Sequence, residues 1–234
     1  MTRKILSIIF IIIILIGVSG CMKKQNKTSV KEEVENYMKE KYNEEFKVVG
    51  GGTESWNDPF AEIYVISEKF PNATIMVRRA RDGSHIMDNY MGFLLKSEIE
   101  QIMSEIVSEI YPESKVFYST YGTPRAGITK DMNAEEYLKY LSEYGVFSLT
   151  ICISDPDYEI NKDRDLEQLR EKFREREYKP SFTIFYVLDG KLDLIDEDNE
   201  RDLYTGADEA KWSKLRGDFD VEPWEGDEWR EINE

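Results

Sequence analysis

The spacing of apolar residues divides the chain into segments of different character. Residues Ile5 to Val18 are apolar almost without a break, interrupted only by Ser7 and Gly17. The stretch MKKQNKTS at 22–29 has no apolar period. Val30, Val34, Met38 and Tyr42 then recur at helical spacing, and Ser29 with Glu32 makes a capping box before them. FKVV leads into a glycine triplet, Gly50 to Gly52, which reads as a turn. AEIYVIS and ATIMVRRA are strand candidates joined to HIMDNYMGFLL by the turn signal RDGS, and that last stretch is expected to continue the sheet. Ile99, Ile102, Met103, Ile106, Val107 and Ile110 form one face of a helix over Ser97 to Tyr111, a stripe that fits packing on a sheet.

The second half alternates. KVFYSTY reads as a strand, and NAEEYLKYLSEYG as a helix ending at Gly145. VFSLTICIS reads as a strand with Phe147, Leu149, Ile151 and Ile153 on one face and Ser148, Thr150 and Cys152 on the other. DRDLEQLREKFRERE reads as a charged helix with Leu166, Leu169 and Phe173 turned inward. SFTIFYVLDGKLDLI is expected to form a hairpin about Asp189-Gly190. Hairpins interspersed with helices make the fold class α+β: a mixed, mainly antiparallel sheet packed by three or four amphipathic helices. The expected divisions are a leader with the order of a signal peptide at 1–20, a cysteine and basic tether at 21–29, a body at 30–205, and an acidic segment at 206–234. That last segment carries Trp212, Trp224 and Trp229, and such aromatic content implies that part of it docks on the body.

The opening run decides the location. Arg3 and Lys4 precede it, small residues follow it, and a bilayer-spanning helix would need roughly 20 apolar residues. Its end, Val18-Ser19-Gly20-Cys21, resembles the lipobox of bacterial lipoproteins. The resemblance implies that Cys21 receives a thioether-linked diacylglycerol and that signal peptidase II recognises Val18, Ser19 and Gly20 and cuts before Cys21. Two acyl chains hold a protein firmly, at about 0.8 kcal/mol per buried CH₂. Lys23, Lys24 and Lys27 in the tether add attraction to an anionic leaflet. The stretches YMKEKYNEEFKVVG and MDNYMGFLLKSEIEQIMSEIV are similar in style to small uncharacterised lipoproteins of low-GC Gram-positive bacteria. That likeness implies the outer face of the cytoplasmic membrane and brings no activity with it.

Charge narrows the partners. Removing Arg3 and Lys4 takes the net charge from −16 to −18, which argues against nucleic acid and weakly favours cations or basic proteins. The expected partners are the membrane, through Cys21, and an extracytoplasmic protein or peptide. With Cys21 lipidated, Cys152 has no disulfide partner, and between two isoleucines it reads as a small packing residue. His85, the one histidine, follows a turn and reads as an exposed turn or strand-edge residue. Neither shows metal-ligand spacing. The acidic runs DEDNERD and SDPDYEINKDRD lack the glycine and glutamate that an EF-hand loop needs, and read as solvated loops. Asn26 and Asn72 match the N-glycosylation pattern, which is discounted in a bacterial lipoprotein. Arg216-Gly217-Asp218 reads as a turn.

The sequence therefore assigns no catalytic, cofactor or metal residue, and points to a non-enzymatic binding lipoprotein. The alternatives are a carboxylate-dependent glycan hydrolase of the cell wall and an immunity-type lipoprotein that neutralises a toxin. The anchor is open to test by intact mass of membrane-extracted protein. The wild type is expected to begin at Cys21 with a diacylglyceryl increment that Cys21→Ala lacks. An intact, unlipidated N-terminus would make 5–18 a short membrane helix instead.

Overall fold

A computed structural model describes residues 29–51, 58–144, 147–221 and 227–232. The lipobox, Cys21, the tether up to Thr28, Gly145 and Trp224 lie outside the described residues. Helix α1 is Val30–Tyr42. Its first turn is capped as the sequence implies, with the Ser29 side chain accepting from the Glu32 N–H at 3.2 Å. Val34, Met38 and Tyr42 are buried, while Val30 is exposed. Strands β1 (Phe46–Gly51), β2 (Phe60–Ser67), β3 (Ile75–Ala80) and β4 (Ile86–Asp88) follow as an antiparallel meander in that order. The stretch expected to continue the sheet does so for three residues only. It then coils into α2 (Tyr90–Leu94), whose Tyr90, Met91, Gly92 and Phe93 are all buried. That run has no alternation, so it suits burial on every side rather than one face of a sheet. Helix α3 (Lys96–Ser108) buries Ile99, Met103, Ile106 and Val107, and Ile102 and Ile110 pack beside them.

A second sheet holds β5 (Ser114–Tyr118), β6 (Phe147–Ile153), β7 (Pro180–Val187), β8 (Ser213–Asp220) and β9 (Glu228–Glu231), in that order. Helix α4 (Ala134–Tyr144) connects β5 to β6, and α5 (Tyr158–Glu175) connects β6 to β7. The β6–β7 pair is parallel and the other pairs are antiparallel. The architecture is α+β, as expected, but with two sheets in place of one. The inner residues of both sheets and of α1 to α5 belong to a single hydrophobic core.

Several local expectations give way: Gly50 and Gly51, read as a turn, extend β1 opposite Tyr64 and Ile63. The Asp189-Gly190 hairpin does not form. Gly190 takes φ +70°, and the chain enters a 3-10 turn at Leu192–Leu194. Both edges of β7 are already taken, by β6 and by β8. The apolar residues of that region serve another purpose: Leu192, Ile195 and Leu203 cover the outer face of the sheet over Phe117, Cys152, Phe185 and Val187. The acidic run 154–165 is a loop only at its start, because α5 begins at Tyr158 and takes in Asp163 and Asp165. Arg216-Gly217-Asp218 is not a turn but the middle of β8. Gly217 has no room for a side chain: a Cβ there would overlap the Phe219 ring and lie 2.7 Å from the Trp229 ring. The segment from 206 supplies α6 (Gly206–Trp212), β8 and β9, and β8 is an interior strand.

Asp88, at the end of β4, is fully buried. Its Oδ1 accepts from the Tyr42 hydroxyl at 2.6 Å and the Tyr90 N–H at 3.0 Å. Its Oδ2 accepts from Lys41 Nζ at 2.7 Å and the Tyr37 hydroxyl at 3.0 Å. Burial, and then the Asp88 charge, pushes both tyrosine hydroxyls well above their ordinary pKa. Removing the carboxylate leaves an ammonium and two hydroxyls without their acceptor. Asp88→Ala is expected to destabilise by about 3 kcal/mol, the low end for a broken buried pair because Lys41 keeps some exposure. A urea midpoint unchanged from wild type would show that the node holds nothing.

Candidate functional site

The residues singled out by sequence do not meet. His85 lies in an exposed turn beside the first sheet, its Nδ1 2.8 Å from the Ser84 hydroxyl and its ring edge-on to Phe60. Cys152 is in the second sheet, fully buried, and burial pushes its thiol up to about 12, so it is not a nucleophile at neutral pH. The acidic runs cap their own turns. Asp196 Oδ1 accepts from the Asp198 and Asn199 N–H groups, and Asp155 Oδ1 from the Asp157 N–H. Among the described residues no group of three or more His, Cys, Asp or Glu side chains is placed to hold a metal ion.

The structure assembles a different site from residues that are unremarkable singly. The period of two along β6 and β7 turns Ser148, Thr150, Ser181 and Thr183 to the face away from the main core. The parallel register sets Ser148 beside Ser181 and Thr150 beside Thr183, giving two hydroxyl rungs. The chain leaving β5 adds Ser119, Thr120 and Tyr121, held to the sheet by the Ser119 N–H bonded to the Ser148 carbonyl at 3.0 Å. Opposite this floor stands the segment 196–204, ending in a 3-10 turn at Glu200–Tyr204. A cavity of about 580 Å³ lies between them. That is within the range of about 300–1,000 Å³ typical of small-molecule sites.

The opposing wall is firmly seated. Ile195 and Leu203 are buried against the outer face of the sheet. Lys115 Nζ donates to the Ile195 carbonyl at 2.9 Å. Lys96 Nζ bridges Glu197 and Glu100, each at 2.9 Å. Burial works against the Lys96 charge, but these two carboxylates outweigh it and hold the ammonium above its ordinary pKa. Tyr204 and Thr150 share a hydrogen bond of 2.8 Å between hydroxyls. The Arg216 guanidinium lies 5.0 Å from the Tyr204 ring centroid and 5.4 Å from that of Phe185, and Asp218 and Glu209 bind its nitrogens. Arg201 lies over Tyr121 at 4.1 Å, and both line the groove.

A second cavity, of about 280 Å³, shares Tyr118, Ser119, Thr120, Tyr121 and Ser148 with the first. Asn89, Arg125 and Tyr137 line its far side. The segment 118–121 is thus a partition between two polar cavities. Asn89 steadies it by donating from Nδ2 to the Thr120 carbonyl at 2.9 Å.

The sequence places Ser148 and Thr150 on the polar face of β6, but it contains no sign that 181 and 183 stand beside them. Tyr204 and Glu200 carry no local signal either. No protein-family model matches the chain, and no curated protein matches it. Among solved structures, a DUF5037 family protein from Ruminococcus gnavus ATCC 29149, determined at 2.55 Å, is similar at 16% identity. The match covers 71% of this chain and 78% of that one, with a TM-score of 0.37, and nothing is carried over from it.

Glu200 is the electrostatically uncomfortable group of the site. Burial raises its pKa above the ordinary 4.5; Arg201 and Lys96 oppose the rise, and Glu100 and Glu197 add to it. The folded state therefore binds this proton more tightly than the unfolded chain does. The ionised carboxylate costs stability once pH passes the ordinary value, and the cost is complete above the folded value. Glu200→Gln is expected to raise Tm by about 2 °C near pH 7.5 and to leave it unchanged near pH 4. An equal gain at both pH values would remove the charge as its cause.

Proposed function

We propose that the chain is a lipoprotein held on the outer face of the bacterial cytoplasmic membrane by a diacylglyceryl group on Cys21. In this reading the folded body binds a small polar ligand without transforming it. The observation behind the binding role is the groove over the second sheet, where hydroxyls from neighbouring strands share one floor under a fixed wall. Hydroxyls of this kind hydrogen-bond in both senses. His85 and Cys152, the residue types that activate a nucleophile or serve as one, do not line it. Among the described residues no helix is long and apolar enough to cross a membrane.

A second reading, carboxylate-dependent glycan hydrolysis, draws on one feature. Glu200 lines the groove with its pKa raised, as a general acid requires. The two readings diverge on turnover. Native mass spectrometry of the detergent-extracted protein is expected to show a small adduct on the wild type, lost from Ser181→Trp, in which the indole fills the groove. Stable adduct mass over a long incubation supports binding. Cleavage of the adduct by wild type and not by Glu200→Gln would overturn the non-catalytic reading.

A further inference from the structure

We infer that the ligand of the groove is a small polyhydroxylated amine, its ammonium group docked on Glu200 and its hydroxyls on the serine and threonine floor. This rests on the binding role proposed for the groove and adds the chemistry of what fills it.

The first ground is a carboxylate without donors. The Glu200 side chain is 20% exposed, and among the described residues none donates a hydrogen bond to it. The nearest cation, Arg201, approaches no closer than 3.8 Å and has its guanidinium over Tyr121. Lys96, the other cation of the groove, is taken up by Glu100 and Glu197. A partly desolvated carboxylate lacking donors is costly, and an ammonium group brings three. The second ground is charge. The groove lining holds two bases, Lys96 and Arg201, against Glu197, Asp198 and Glu200, so an anion is repelled and a cation drawn in. The third is the floor. The Thr183 hydroxyl is held by Asp218, to which it donates at 2.8 Å, and by the Tyr204 hydroxyl, so the floor's free hydroxyls are those of the serines. Among the described residues the hydroxyls of Ser148 and Ser181 have no hydrogen-bond partner, so they can donate and accept. A charge-bearing wall facing a floor of hydroxyls matches a ligand with an ammonium on one side and hydroxyls on the other.

The test is isothermal titration calorimetry on the full mature protein in detergent with three probes. Glucosamine carries ammonium and hydroxyls, glucose only the hydroxyls, and spermidine only the ammonium groups. Glucosamine is expected to bind at least about tenfold more tightly than either of the others, the ratio expected from one charge-assisted hydrogen bond. Glu200→Gln is expected to bring glucosamine down to the level of glucose. Ser181→Ala, a milder change on a half-buried hydroxyl, is expected to weaken glucosamine and glucose together. Equal binding of glucose and glucosamine overturns the amine and leaves the groove reading standing. Spermidine binding as tightly as glucosamine overturns the hydroxyl half. If no probe binds while Ser181→Trp still sheds a copurified adduct, the ligand class alone is overturned. If no probe binds and no adduct exists, both readings fall.

Discussion

One buried carboxylate locks the first helix to the first sheet. Asp88 cannot be left charged in the interior unless its oxygens are fully hydrogen-bonded. Three of its donors, Tyr37, Lys41 and Tyr42, come from α1, 46 to 51 residues away in sequence. The carboxylate therefore fixes how α1 lies against the first sheet and where α2 starts. Its neighbour Asn89 carries the constraint onward, accepting from the Met76 N–H at 2.8 Å and donating to the Thr120 carbonyl. Thr120 belongs to the partition between the two polar cavities. The candidate site lies on the second sheet, but one of its walls is held by a polar node on the first.

The second sheet does two jobs with its two faces. Inward, Leu149, Ile151, Phe182 and Ile184 join the main core. Outward, the same strands change character along their length. Cys152, Phe185 and Val187 at one end are sealed by Ile195 and Leu203, while Ser148 and Ser181 at the other end are left open. The sealed end anchors the wall, so that the open end keeps its shape. Rigid support of this kind is what lets a binding site hold its geometry before a ligand arrives.

Features that depend on local periodicity were legible in the sequence. The α3 stripe and the Ser29 cap need only neighbours within a turn or two, and both are present. Features that depend on partners far along the chain were not. Asp189-Gly190 is a sound hairpin signal, yet β8 takes the edge that its second arm would have used. Gly217 looks like a turn glycine until Phe219 and Trp229 are seen to occupy its side-chain space. The groove was half legible. The polar face of β6 can be read from alternation, but its alignment with Ser181 and Thr183 follows from a parallel register set through α5. Nothing nearby distinguishes Glu200 from the other acidic residues of its run. What sets it apart is its partial burial in the groove, which raises its pKa.

The position of β8 has a consequence for how such a chain comes into being. It is an interior strand, yet it is made after β5, β6 and β7. The first sheet is complete by Asp88, and β5 to β7 can assemble by Val187, but one edge of β7 stays bare until residue 220 has emerged. That edge runs through Phe182, Ile184, Phe185 and Tyr186, and a bare apolar strand invites wrong pairing. The interval between the synthesis of β7 and that of β8 is therefore the exposed stage of folding. The acidic residues Asp196, Glu197, Asp198, Glu200 and Asp202 are made within that interval, and like charge of this density opposes the association of chains.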